Sequence, residues 1–168
     1  MKDIFCPICG SKLVEKPVKG EPDLVPYCEQ CQTFRFPHYS VAVSLICFSP
    51  DEQEILLIQQ YGRKANILVA GYVNPGEDAE DAAKRELQEE LGVAPLSLHF
   101  NRSHYFAPHD VLMLNFSAVL PSKDLHPNWE VDSYRFFAKE DALKEILHPS
   151  LAEAFLRGAL TGTYDFGK

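Results

Sequence analysis

The chain is poor in positive charge. Lys and Arg number 16 against 24 Asp and Glu, for a net charge of −8. An acidic chain repels phosphate backbones, which excludes a general nucleic-acid binder. Long apolar runs are also missing. None approaches the ~20 residues that a membrane-spanning helix needs, so no membrane partner is expected. The opening stretch MKDIFCPICG lacks the apolar core of a secretion signal. Internal repeats and low-complexity segments are absent. Cysteine is sparse, five in all, and four of the five fall in two CxxC pairs. With no export signal, that usage points to a reducing cytoplasm.

What remains is 168 residues, 46% hydrophobic and 24% charged. That is enough for one packed domain and a small appendage. The charge is unevenly spread. Residues 1–37 carry five basic and five acidic side chains, so the whole −8 lies in residues 38–168. Residues 71–93 alone hold seven acids and two bases.

The appendage is expected at residues 1–37. Cys6-x2-Cys9 and Cys28-x2-Cys31 are separated by 18 residues, the spacing of a four-thiolate Zn²⁺ site. Gly10 allows the tight turn of a knuckle, and Pro17, Gly20, Pro22 and Pro26 favour turns between short strands. So small a segment has too little apolar core to fold without a staple. Two disulfides or two redox pairs are the alternatives, but nothing here resembles the helix that a redox CxxC opens. Four thiolates close the coordination sphere, so this zinc is expected to be structural. Cys47, inside the apolar run Val41–Phe48, reads as a core residue.

Residues 38–168 mix strands and helices without regular alternation. His38–Phe48 and Glu54–Gln60 read as paired strands, and Ile67–Ala70 as a short one. Leu96–Tyr105, Val111–Leu120 and Tyr134–Phe137 read as further strands. Lys139–Leu147 and Ser150–Leu160 have helical periodicity, interrupted at His148-Pro149. The pattern predicts an α+β domain with a mixed sheet.

Residues 71–93, GYVNPGEDAEDAAKRELQEELGV, carry the chemistry. Pro75-Gly76 ends a loop, Asp78 is placed to cap a helix, and Gly92 to stop it. Ala79, Ala82, Ala83, Leu87 and Leu91 recur at helical spacing. Glu86, Glu89 and Glu90 therefore share one face. Carboxylates that close repel one another unless a cation intervenes, and such hard oxygen donors suit Mg²⁺ or Mn²⁺. Arg85 is placed to pair with Glu77 and hold loop to helix. A charge run alone is commonly a solvated helix face; the surrounding glycines and loop argue for a metal site.

The same stretch reads Gly71, five residues, Glu77, seven residues, then Arg85-Glu86-Leu87-Gln88-Glu89-Glu90-Leu91-Gly92-Val93. It fills every fixed position of the Nudix box, so the chain resembles the Nudix hydrolases. The resemblance implies an α/β/α sandwich and metal-dependent cleavage of a nucleoside diphosphate linked to another moiety. It implies that Glu86, Glu89, Glu90, Arg85 and Glu77 form the catalytic set, with the Gly71 carbonyl as a further metal ligand. A ribbon followed by this domain resembles the NADH pyrophosphatase, or NAD diphosphatase, branch. Glu130-Val131-Asp132-Ser133-Tyr134-Arg135-Phe136 fits that branch's E-A-N-W-Y-R-Y-like stretch, which places Glu130 as a metal ligand. Tyr72 stands where the branch has a base-stacking aromatic.

The branch's S-Q-P-W-P-F-P motif is largely replaced. Ser103-His104-Tyr105-Phe106-Ala107-Pro108-His109 keeps the serine and puts Phe106 in place of tryptophan. Tyr72, Ser103 and Phe106 are the expected substrate contacts, and His104 and His109 lie nearby as phosphate contacts or surface turns. The expected reaction releases AMP from NAD(H) or ADP-ribose. The alternatives are a non-catalytic nucleotide-sensing regulator and removal of NAD caps from RNA 5′ ends, the one role in which nucleic acid is expected as a partner. Relatives also imply a homodimer.

Overall fold

The computed structural model describes residues 4–167. They divide into two compact units, with the division between Tyr39 and Ser40.

The first unit is a three-stranded antiparallel sheet of β1 (Val14–Lys16), β2 (Val25–Cys28) and β3 (Thr33–Phe34), in that order. The first cysteine pair sits on a turn in which Gly10 N–H donates to the Cys6 carbonyl at 2.9 Å. Gly10 has φ +72°, a left-handed conformation that its missing Cβ permits. Little here is apolar and buried beyond Val25, Pro26, Cys6 and Cys28.

The second unit is built on β4 (Ser40–Phe48). Its run SVAVSLICF, apolar on both faces, suits the middle of a covered sheet. One edge pairs in parallel with β8 (Val111–Val119) over its whole length. The other edge is shared: β6 (Val69–Tyr72) pairs antiparallel at Ala42–Leu45, and β5 (Glu54–Gln60) at Cys47–Phe48. With β7 (Ser97–Phe106) and β9 (Val131–Ala138) outermost, the main order is β7-β8-β4-β5-β9.

Side-chain alternation sorts the core into two layers. Val43, Leu45 and Cys47 pack with Ala82, Ala83, Leu87 and Leu91 of α1 (Ala79–Leu91). Ile46, Ile55 and Leu57 pack with Ala142 of α2 (Lys139–Glu145) and Leu156 of α3 (Leu151–Thr161). Helices on both faces of a mixed sheet make the α/β/α sandwich that the resemblance implies. No helix among the described residues is long and apolar enough to cross a membrane.

Several boundaries differ from expectation because pairing overrides local pattern. β6 runs Val69–Tyr72 rather than Ile67–Ala70, so Gly71 lies inside a strand, opposite Val43. β9 spans Val131–Ala138, longer than Tyr134–Phe137, because β5 offers it a partner along its length. α2 stops at Glu145 rather than Leu147, since Ile146 is extended and bridges to Asn66. Asp78 does occupy the cap of α1, but through its carbonyl, which accepts from Ala82 N–H at 2.9 Å; its side chain makes no cap bond.

Candidate active site and metal centre

β6 delivers Gly71 and Tyr72 against the acidic face of α1. A Cβ at Gly71 would lie 2.0 Å from the Glu86 Cδ and Oε1 atoms, so only glycine leaves room for that carboxylate. Arg85 gathers the surroundings. Its Nε donates to Glu77 Oε1 at 2.7 Å and its Nη2 to Glu77 Oε2 at 3.1 Å. Nη1 reaches Glu86 Oε1 at 2.7 Å and Glu89 Oε2 at 3.0 Å, and Nη2 also holds the Tyr72 carbonyl at 2.8 Å. The pairing of Arg85 with Glu77 thus extends to two more carboxylates and a strand end, contacts that sequence spacing alone does not reveal.

The guanidinium holds the Glu77 carboxyl below the usual range, helped by the Asn74 N–H. Burial acts the other way on the helix, raising Glu86 despite its bond to Arg85. Glu90, only 3% exposed, is pushed up to about 7. Burial is the main cause; the adjacent Gln60 amide opposes it, and the charges of Glu86, Glu130 and Glu89 add to it. Although Gln60 lies close, neither its Nε2 nor Glu90 Oε2 has a hydrogen-bond partner of acceptable geometry. A buried carboxylate oxygen with no proton donor is costly, and a cation would satisfy it. The donor set of Glu86, Glu90 and a backbone carbonyl at Gly71 fits a hard divalent ion.

The carboxylates are near one another without converging. Among the described residues, four cysteines bring their ligand atoms within 4.8 Å of one another, and no three acids do. Arg85 draws Glu86 and Glu89 to itself, and Glu89 stays exposed. Glu130 accepts from the Tyr61 hydroxyl at 2.8 Å. Its loop is tied to α1 where Asn128 N–H donates to the Glu90 carbonyl at 3.0 Å. Gln60 and Asn128 therefore belong to the surroundings of Glu90, with no local sequence signal to announce them.

Tyr72 and Phe106 line one apolar cleft of about 320 Å³, with Ala42, Val111 and Met113 at its walls. His109 lines it too, stacked on Phe106 with ring centroids 5.4 Å apart. Ser103 is not brought there. The pleat puts residues 104 and 106 on one face of β7 and 103 on the other. His104 instead stacks on Phe166 at 4.0 Å, in a neighbouring cavity of about 480 Å³.

In the N-terminal unit, Cys6, Cys9, Cys28 and Cys31 meet as their spacing predicts. Cys6 Sγ lies 3.9 Å from Cys31 Sγ, and Cys9 Sγ lies 3.5 Å from Cys28 Sγ. Those separations are far too long for disulfides. Four sulfurs each ~2.3 Å from one tetrahedral ion would stand ~3.8 Å apart, so the donor set fits a single ion. Arg35 donates to Cys6 Sγ through Nε at 3.3 Å and Nη2 at 3.2 Å. Against the upward push of burial, the Cys9 and Ile8 N–H groups and Arg35 bring the Cys6 thiol down to about 6. Cys31 is driven up to about 12, first through its contact with Cys9. Cys47 is fully buried and its thiol is pushed well up by burial, as befits a core residue.

A sandwich that presents this helix and loop defines a class. Residues 38–157 match the NUDIX domain model, and the chain belongs to the Nudix family. It is 29% identical over 144 residues to the NAD-capped RNA hydrolase NudC of Photobacterium profundum, covering 84% of this chain and 52% of that protein. It is 30% identical over 139 residues to the protein of the same name from Pseudomonas syringae pv. syringae, covering 82% and 48%. The chain thus spans about half the length of these curated relatives. A NUDIX hydrolase from Nitrosomonas europaea has the same fold, with a TM-score of 0.65 at 21% identity, over 99% of this chain and 97% of that one.

Proposed function

We propose that residues 38–168 form a Nudix hydrolase domain that cleaves the diphosphate of a nucleoside diphosphate linked to another moiety. NAD(H) and ADP-ribose are the favoured substrates and AMP the product. The observation that carries this reading is the buried, unpartnered Glu90 oxygen beside a Glu86 carboxylate for which Gly71 leaves room. Glu86, Glu89, Glu90, Glu130 and the Gly71 carbonyl are the groups to hold Mg²⁺ or Mn²⁺. A cation held there would supply positive charge against the diphosphate and a water acidic enough to attack near neutral pH. Glu90, the most buried of these carboxylates, would serve as a ligand or as the acceptor of that water's proton. Arg85 and Glu77 lock the loop to the helix, and Tyr72 and Phe106 offer ring faces to a base.

Residues 1–37 are read as a structural zinc ribbon. Its thiols, free in this structure, agree with a reducing cytoplasm. The names of the relatives support a second reading, removal of NAD caps from RNA 5′ ends. With a net charge of −8, contact with RNA would be confined to the capped end. A panel of nucleoside diphosphate compounds with Mg²⁺ or Mn²⁺, read by mass analysis of products, tests the first reading. AMP from NADH, NAD⁺ and ADP-ribose is expected. Activity confined to nucleotides without an adenosine diphosphate would overturn the substrate assignment.

A further inference from the structure

Two large rings stand in the open beside the carboxylates, outside the Tyr72–Phe106 cleft. Tyr61 is 61% and Trp129 81% exposed, and they meet edge to face with centroids 6.4 Å apart. Neither belongs to an apolar core cluster. Each follows directly on a residue tied to Glu90. Trp129 follows Asn128, whose N–H is bonded to the Glu90 carbonyl, and Tyr61 follows Gln60, whose amide lies against the Glu90 carboxyl. The Tyr61 hydroxyl donates to Glu130.

Both rings are held on fixed turns. Tyr61 has φ +55°, a left-handed backbone unfavourable for a bulky residue. It is kept there by Gly62 N–H donating to Asp132 Oδ2 at 2.6 Å and Arg63 N–H donating to the Gln60 carbonyl at 3.1 Å. On the other side, Glu130 N–H donates to Asn128 Oδ1 at 2.8 Å, closing a turn around Trp129. A strained turn that presents rings to solvent is not explained by packing.

We propose that Trp129, supported by Tyr61, is a stacking platform for the base of the second mononucleotide of a dinucleotide substrate. The proposal rests on the diphosphate-cleavage reading above. A dinucleotide carries a base at each end of its diphosphate. The Tyr72–Phe106 cleft provides for one, and this pair provides for the other. Flat ring faces accept any base without hydrogen-bond readout. The acids alongside, Glu130 and Asp132, disfavour a run of bare phosphates but not an uncharged ring. ADP-ribose, with a single base, leaves the platform unused.

Trp129 is the only tryptophan in the chain, so its fluorescence reports this platform alone. The protein with Mg²⁺ would be titrated with methylene-bridged analogues of NAD⁺ and ADP-ribose. Saturable quenching by the first, and little by the second, is expected. In turnover, Trp129→Ala should raise KM for NAD⁺ about tenfold more than for ADP-ribose, the size of effect of losing one stacked base, and Trp129→Phe should recover most of it. Equal quenching by both analogues, or equal KM changes for both substrates, would overturn the platform. Hydrolysis of both compounds without quenching sinks the platform and leaves the hydrolase reading standing. Quenching by the NAD⁺ analogue without hydrolysis of either compound does the reverse.

Discussion

The two units of this chain place their candidate ligand residues in opposite ways. In the N-terminal unit the buried residues are Cys6, Val25, Pro26 and Cys28, so two of the four clustered cysteines stand where an apolar core would be. In the C-terminal unit the acids are added to a frame that stands without them. Leu45, Leu56, Leu87, Leu91 and Phe116 already close one layer, and Glu86 and Glu90 sit at its edge. Removing a ligand should therefore unfold the first unit but only disarm the second. The donors differ to match: soft thiolates at fixed separations in one, hard carboxylates restrained by Arg85 in the other.

The largest effect expected is in the first unit. Cys28→Ser should abolish its fold, because binding of a structural zinc ion supplies ~10–16 kcal/mol in small ribbons. Limited proteolysis should then cut before Tyr39 and spare the rest. One equivalent of zinc in the parent protein, and none in the variant, is the accompanying result. Cooperative loss of both units would break the contrast.

Next in size is Glu90→Gln, which should lower kcat about a thousandfold, as loss of a metal ligand and proton acceptor would. The melting temperature should hold or rise, since a neutral amide avoids the burial cost of the charge. Near-normal turnover would remove the role given to Glu90.

A smaller effect is expected at Gly71→Ala. The new Cβ meets the movable end of Glu86, 2.0 Å away, rather than backbone. The fold should survive within ~1 kcal/mol, while a carboxylate displaced by about an ångström costs up to ~100-fold in kcat. A drop in melting temperature with activity intact would show that Gly71 serves the sheet rather than the site.

The last is a pH effect on stability. The Glu90 carboxyl lies at about 7 in the folded chain against an ordinary 4.5, so the folded state keeps a proton that the unfolded chain releases between those values. Stability from this group should be greatest below pH 4.5, decline as pH rises to about 7, and flatten above. Glu86, also raised by burial, adds the same sign. Glu77, lowered by Arg85, loses its contribution only in acid below the ordinary range. Melting temperatures measured without added Mg²⁺ or Mn²⁺ should show the decline, and Glu90→Gln should reduce it. A slope unaltered in Glu90→Gln would assign it elsewhere.

Much of this protein is local in its sequence. The helix over Ala79–Leu91 follows from apolar spacing and from Gly92, which ends it at φ +71°. The cysteine cluster follows from two CxxC pairs, and the Glu77–Arg85 pair from loop and helix being adjacent in the chain. Each depends on residues close in sequence, where periodicity and turn chemistry dominate. The extended reach of Arg85 to the Tyr72 carbonyl, and the placing of Phe106 but not Ser103 at the cleft, depend on strand register, which a one-residue shift reverses.

The sequence by itself therefore determined the family, with the sandwich that its resemblance implies, the clustering of four thiols and the acids of the box. Only the tertiary structure decided which of those acids is buried and which is exposed. It also placed Gln60, Asn128 and Tyr61 around Glu90 and Glu130, across gaps of 30 to 69 residues in the chain. The reason is physical. A carboxyl group's proton affinity is set by what surrounds it in space, and burial and distant charges leave no mark on its sequence neighbours.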